Sequence, residues 1–147
     1  MKINMVDISS KKDIKRTATA RGKIYLKEST IETIRDGKIQ KGDIFPVSEI
    51  AAINAVKETP HLIPLCHNIP LSKADVDFEV ADDHITAKVT VTSTAKTGVE
   101  MEALIGANIC LLNIWDMVKY LEKDDMGQYP NTRITDIKVT EKKKEEI

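Results

Sequence analysis

The sequence is poor in aromatic residues, with one tryptophan, three tyrosines and two phenylalanines in 147 residues. That is thin material for a base-stacking surface. It also lacks a charge excess of either sign. Lys and Arg total 22, Asp and Glu total 23, and the net charge is −1. A general nucleic-acid binder carries a basic surplus, so that class is excluded. Arginine occurs only at Arg16, Arg21, Arg35 and Arg133. Cysteine is scarce too. Cys66 and Cys110 form no Cys-x-x-Cys pair and no disulfide framework, which points to a reducing cytoplasm. No uncharged apolar run approaches the roughly 18 residues of a membrane span, and the first residues lack the apolar core of a secretory signal. Neither a membrane nor a nucleic-acid partner is expected.

What is present fits one globular domain. A chain of this length buries roughly 68–70% of its unfolded surface without staples. Hydrophobic residues make up 41% and charged residues 31%, which excludes fibrous and disordered classes. Residues 1–14 read as a loosely held arm, 15–140 as the single domain and 141–147 as a charged tail. Thr17 to Lys27 favours a strand. Glu28 to Asp36 reads as a short helix capped by Ser29 or Thr30, and Asp43 caps a second helix reaching Lys57. Pro60, Pro64 and Pro70 then predict an irregular, stiffened loop from Thr59. Ala74 to Val80 and Ile85 to Val91 alternate apolar and polar residues about Asp82-Asp83, the mark of a hairpin. Gly98 opens a long helix to about Lys123, apolar around most of its circumference. Arg133 to Thr140 is a last strand. The order implies an α+β sandwich with an antiparallel sheet and helices on one face.

Four polar constellations interrupt the apolar segments. Lys41-Gly42-Asp43 precedes the second helix, where a turn with a cap and an anion site are equally good readings. Cys66-His67 is a weak zinc signal because no further ligands stand at zinc spacing. His67 in a proline-stiffened loop can bind phosphate or move protons, while Cys66 and Cys110 read as packed thiols. Glu100 fits a dipole role in a first helical turn. Glu102 fits it less well: beside so much apolar surface, a carboxylate acquires a raised pKa or a hydrogen-bonding task. Asp116 and Lys119 share a helix face at i, i+3 and are expected half-buried, an arrangement suited to proton transfer. Yet Glu102 and Asp116 stand 14 residues apart, about 21 Å along one helix. One small site cannot use both from one chain, so they serve separate sites or two chains share each site.

These segments together resemble the molybdenum-cofactor biosynthesis protein C (MoaC) family of cyclic pyranopterin monophosphate synthases. The matching blocks are Met5-Val6-Asp7-Ile8-Ser9, Lys41-Gly42-Asp43-Ile44, Leu62-Ile63-Pro64-Leu65-Cys66-His67, Lys96 to Leu104 and Trp115-Asp116-Met117-Val118-Lys119. They follow the family's order and spacing from residue 5 to about 138. The resemblance implies a ferredoxin-like fold and a hexamer built of dimers. The implied reaction turns the GTP-derived 3′,8-cyclo-7,8-dihydro-GTP into cyclic pyranopterin monophosphate with loss of pyrophosphate, a lyase step early in molybdenum cofactor synthesis. It implies substrate contacts at Leu65, Cys66, His67, Glu100, Met101 and Glu102. It implies a catalytic Asp116 with essential Lys41 and Lys119, in a site shared between subunits. No cofactor or dedicated metal site is read from the sequence, and a divalent ion such as Mg accompanying the triphosphate is compatible with it. The tail departs from the family, with Lys138 to Lys144 in place of a Gly-Gly-Lys-Ser-Gly stretch. The competing class is a non-catalytic ferredoxin-like ligand-binding module.

Overall fold

The computed structural model describes residues 1–147. Its elements are β1 (Ile14–Tyr25), α1 (Glu28–Arg35), α2 (Ile44–Leu62), β2 (Lys73–Val80), β3 (His84–Ala95), α3 (Glu100–Glu122) and β4 (Arg133–Glu145). The strands form one sheet in the order β2-β3-β1-β4, every neighbouring pair antiparallel. With the helices in the two crossovers, this is the expected ferredoxin-like α+β arrangement.

Alternation places the core. Ala18, Ala20 and Ile24 of β1 and Ile85, Ala87, Val89 and Val91 of β3 are buried. On the opposite face, Thr19 and Thr90 hydroxyls meet at 3.0 Å across the β1–β3 ladder. Small residues let the long helix approach. A Cβ on Gly106 of α3 would come within 2.8 Å of Val56 on α2 and 3.0 Å of Val89 on β3. α3 has the length and a mean hydropathy of 1.3 that would suit a membrane span. Here it is the core helix, with Glu102 and Glu122 buried near its two ends.

Three boundaries differ from the sequence reading. α2 continues past Lys57 to Leu62 and contains Pro60. Proline removes only the bond to the Val56 carbonyl, in the last turn, while the Thr59 hydroxyl bonds the Ala55 carbonyl at 3.0 Å. Neither Ser29 nor Thr30 caps α1, because Lys27 is the N-cap and supplies no side-chain bond. Instead Glu122 reaches across from α3. Its carboxylate accepts from the Lys27 amide (3.1 Å), the Thr30 hydroxyl (2.5 Å) and the Thr132 hydroxyl (2.6 Å). Finally, β4 runs beyond Thr140 to Glu145. Residues 141–145 are solvated as expected, yet they pair with β1 from Thr19↔Glu141 to Lys15↔Glu145. Register shifts at Thr19/Ala20 and Arg21/Lys23 let the long strand follow its neighbour.

Candidate active site

The first functional cluster sits at the start of α3. α2 ends at Leu62, and the chain turns through a Cys66 amide bond to the Ile63 carbonyl (3.1 Å). The loop is tied to β3, since the Ser93 hydroxyl donates to the Pro70 carbonyl and Ser72 donates to Thr92 from both amide and hydroxyl. This anchoring presents Cys66 and His67 to the first turn of α3. Cys66 Sγ lies 3.9 Å from Glu102 Oε2. His67 Nε2 donates to the Val6 carbonyl at 2.6 Å. Leu65, Cys66, His67, Glu100 and Met101 line one open cavity of about 650 Å³.

Electrostatics separate the two carboxylates here. Glu102 is 1% exposed, and its Oε1 is buried with no hydrogen-bond partner. Burial pushes its carboxyl above the ordinary range and the charge of Glu100 adds to this, against weaker opposition from its own amide and the Cys66 thiol. Burial, then Glu102, also raises the Cys66 thiol, so no activated thiolate stands here. Burial raises Cys110 to about 12, as befits a core thiol. Burial acts on Glu100 in the same direction, but Lys142, its own amide and Arg16 outweigh it and hold Glu100 low. Lys142 Nζ stands 2.7 Å from Glu100 Oε1. Arg16, Lys142 and Lys144 line a separate, adjoining pocket that shares Gly98 and Glu100 with this cavity.

The second cluster occupies the far end of α3. Gly42, at φ +111°, turns the chain ahead of α2, and the Asp43 carboxylate caps that helix through the Phe45 amide at 3.1 Å. The Gln40 amide donates to the Tyr120 hydroxyl at 2.9 Å, which pins this turn to α3. Lys41 Nζ thereby reaches Asp116 Oδ2 at 2.8 Å, and Lys119 Nζ stands 3.1 Å from Asp116 Oδ1. Hydrogen bonds from Lys41, then Lys119, hold the Asp116 carboxyl below its usual value. With side-chain exposures of 48%, 52% and 44% for Lys41, Asp116 and Lys119, the triad stands at the surface of the chain, more open than the half-burial expected from the apolar helix around it.

The nine residues singled out in the sequence thus fall into two groups. Lys41, Asp116 and Lys119 come together at one end of α3; Leu65, Cys66, His67, Glu100, Met101 and Glu102 gather at the other. α3 is continuous from Glu100 to Glu122, so the separation of about 21 Å stands. Arg16 and Tyr120 escaped the sequence reading. Arg16 lies in a strand text without motif, and Tyr120 acts through one hydroxyl on a distant turn.

Fold and clusters define a class first: a ferredoxin-like α+β protein with a lysine–aspartate–lysine triad at one end of α3 and a largely apolar cavity holding His67 and Glu100 at the other. The chain belongs to the MoaC family, whose model matches residues 5–145. A relative from Methanothermobacter thermautotrophicus, "Probable cyclic pyranopterin monophosphate synthase accessory protein", is 55% identical over 99% of this chain and 91% of its own. "Probable cyclic pyranopterin monophosphate synthase" of Thermococcus onnurineus is 54% identical over 98% of this chain and 92% of its own. A protein of the same name from Aeropyrum pernix is 53% identical over 95% and 96%.

Proposed function

We propose that the protein is a cyclic pyranopterin monophosphate synthase, a lyase of molybdenum cofactor biosynthesis. It converts 3′,8-cyclo-7,8-dihydro-GTP to cyclic pyranopterin monophosphate and releases pyrophosphate. The observation that carries the reading is the triad. Two lysines grip Asp116 from two elements at 2.8 and 3.1 Å, beyond what a surface ion pair needs for stability. Asp116 stays ionised and orients both ammonium groups for proton transfer as the ring system is rebuilt. As the cyclic phosphate forms, a substrate hydroxyl attacks the α-phosphorus and pyrophosphate leaves with the bridging oxygen. Lys41, Lys119 and His67 neutralise the charge that develops on it. Leu65, Cys66, Met101 and Glu100 shape the pocket. Glu102, whose carboxyl burial pushes above the ordinary range, contacts the pterin portion through a hydrogen bond.

The two clusters complete each other across a dimer, with α3 of one subunit antiparallel to α3 of the next. Dimers assemble into a hexamer in the cytoplasm. Met101 and Leu112 on α3 and Val47 and Ile50 on α2 are exposed in the single chain, which supports such a cover. One relative's name includes "accessory protein", which favours a non-catalytic role as the second reading. Incubation with the cyclised GTP derivative separates the two. The synthase yields cyclic pyranopterin monophosphate and pyrophosphate in equal amounts. Binding without pyrophosphate release would instead make the chain a ligand-binding module.

A further inference from the structure

Lys41 stands on the turn between α1 and α2, flanked by Gly37 at φ +68° and Gly42 at φ +111°. The space beside both glycines is open, so packing does not fix the turn from outside. Its backbone bonds are local. The Lys38 amide donates to the Thr33 carbonyl at 3.1 Å and the Gly42 amide to the Ile39 carbonyl at 3.0 Å. Ile39 is buried, while Gln40 and Lys41 are exposed. The backbone meets α3 through the Gln40 amide, which donates to the Tyr120 hydroxyl at 2.9 Å. Asp116 and Tyr120 are four residues apart on α3 and share a face. Consecutive residues of the turn therefore dock one helical turn apart: Gln40 on Tyr120 through its amide, Lys41 on Asp116 through its ammonium. Lys41 Nζ also reaches the Asp116 carbonyl at 3.3 Å. The ion pair does not suffice to hold this geometry. A pair open to solvent adds little, and a lysine gives up much rotamer freedom to keep one position.

We infer that Tyr120 is a positioning residue for the synthase reaction: its hydroxyl fixes the backbone of the turn so that Lys41 stays beside Asp116. The inference rests on the synthase reading for the role of Lys41. Tyr120 performs no step of its own and acts through that lysine. The two ends of the turn are held independently, α1 by the Glu122 carboxylate and α2 by the Asp43 cap. Loss of the hydroxyl thus loosens the middle of the turn and leaves both helices in place.

Two measurements on the full-length protein test this. Tyr120→Phe keeps the ring and removes the acceptor. Its melting temperature should stay within a few degrees, because the side chain is exposed. Its kcat should fall about ten-fold, the weight of one hydrogen bond, with KM changed less than about two-fold. The fall should vanish when Tyr120→Phe is added to Lys41→Met, since nothing is then left to position. The second measurement needs no substrate: the Asp116 carboxyl is titrated by carbon NMR. Lys41, then Lys119, hold this carboxyl below its usual value. In Tyr120→Phe it should rise toward the ordinary range, in the same direction as in Lys41→Met. An unmoved Asp116 titration overturns the positioning role. So does an unchanged kcat in Tyr120→Phe, or an equal fall in the Lys41→Met background, while turnover by the unmodified protein upholds the synthase reading. A raised Asp116 titration without any turnover by the unmodified protein upholds the positioning of Lys41 and overturns that reading.

Discussion

At the scale of single residues, Glu102 and Asp116 are carboxylates driven in opposite directions on one helix. Glu102 is raised by burial, so its charged form costs stability. The native state binds the extra proton between the ordinary value of 4.5 and the raised one. Its favourable share of stability is complete below the ordinary value and is lost as pH rises through the raised one. Glu102→Gln should therefore raise the melting temperature at pH 7 and leave it unchanged near pH 4, while abolishing turnover. Equal shifts at both pH values would mean that the charge is not the cause. Lys119 behaves differently, because its ion pair with Asp116 is open to solvent and adds little to stability. Lys119→Met should keep the melting temperature within a few degrees and lose at least about a hundred-fold in kcat. Near-normal kcat would remove Lys119 from the chemistry. Both environments were legible in sequence. Apolar neighbours around Glu102 announce burial, and i, i+3 spacing pairs Asp116 with Lys119. The Glu100–Lys142 contact was not, because it depends on the pairing of β1 with β4 across more than a hundred residues.

At the scale of elements, the same division holds. The hairpin β2–β3 and helix α3 follow from period-two and helical patterns, which are local. Caps and ends are settled by partners far along the chain. α1 needs no cap of its own because Glu122 supplies one, and β4 outruns its apolar stretch because β1 offers an unpaired edge. Pro60 marks a helix's last turn as well as it marks a loop, and sequence alone does not choose between these. The Glu122 knot has a measurable consequence. Glu122→Ala leaves the buried Thr30 and Thr132 hydroxyls and the Lys27 amide without their acceptor. It should cost roughly 3 kcal/mol. For a domain of this size that is a fall in melting temperature of about 6–12 °C. Glu122→Gln, which keeps one acceptor oxygen, should fall less. A fall below about 2 °C for Glu122→Ala would show that water replaces the carboxylate.

At the scale of the whole molecule, the decisive feature is distance. One rigid helix holds Glu102 and Asp116 about 21 Å apart, and the substrate is far smaller than two such clusters plus the gap between them. An isologous dimer with antiparallel α3 helices, as proposed, would bring Glu102 of one subunit to Asp116 of the other and make two equivalent sites. The measurement that tests this most directly mixes Glu102→Gln with Asp116→Asn, each expected to be inactive alone, and refolds them together. Mixed dimers then hold one doubly substituted site and one intact site. With random pairing, about a quarter of all sites should regain synthase activity by that symmetry. Mass measurement of the assembled dimers counts the mixed species. If mixed dimers form and no activity returns, both groups act from one chain and the shared-site account is wrong.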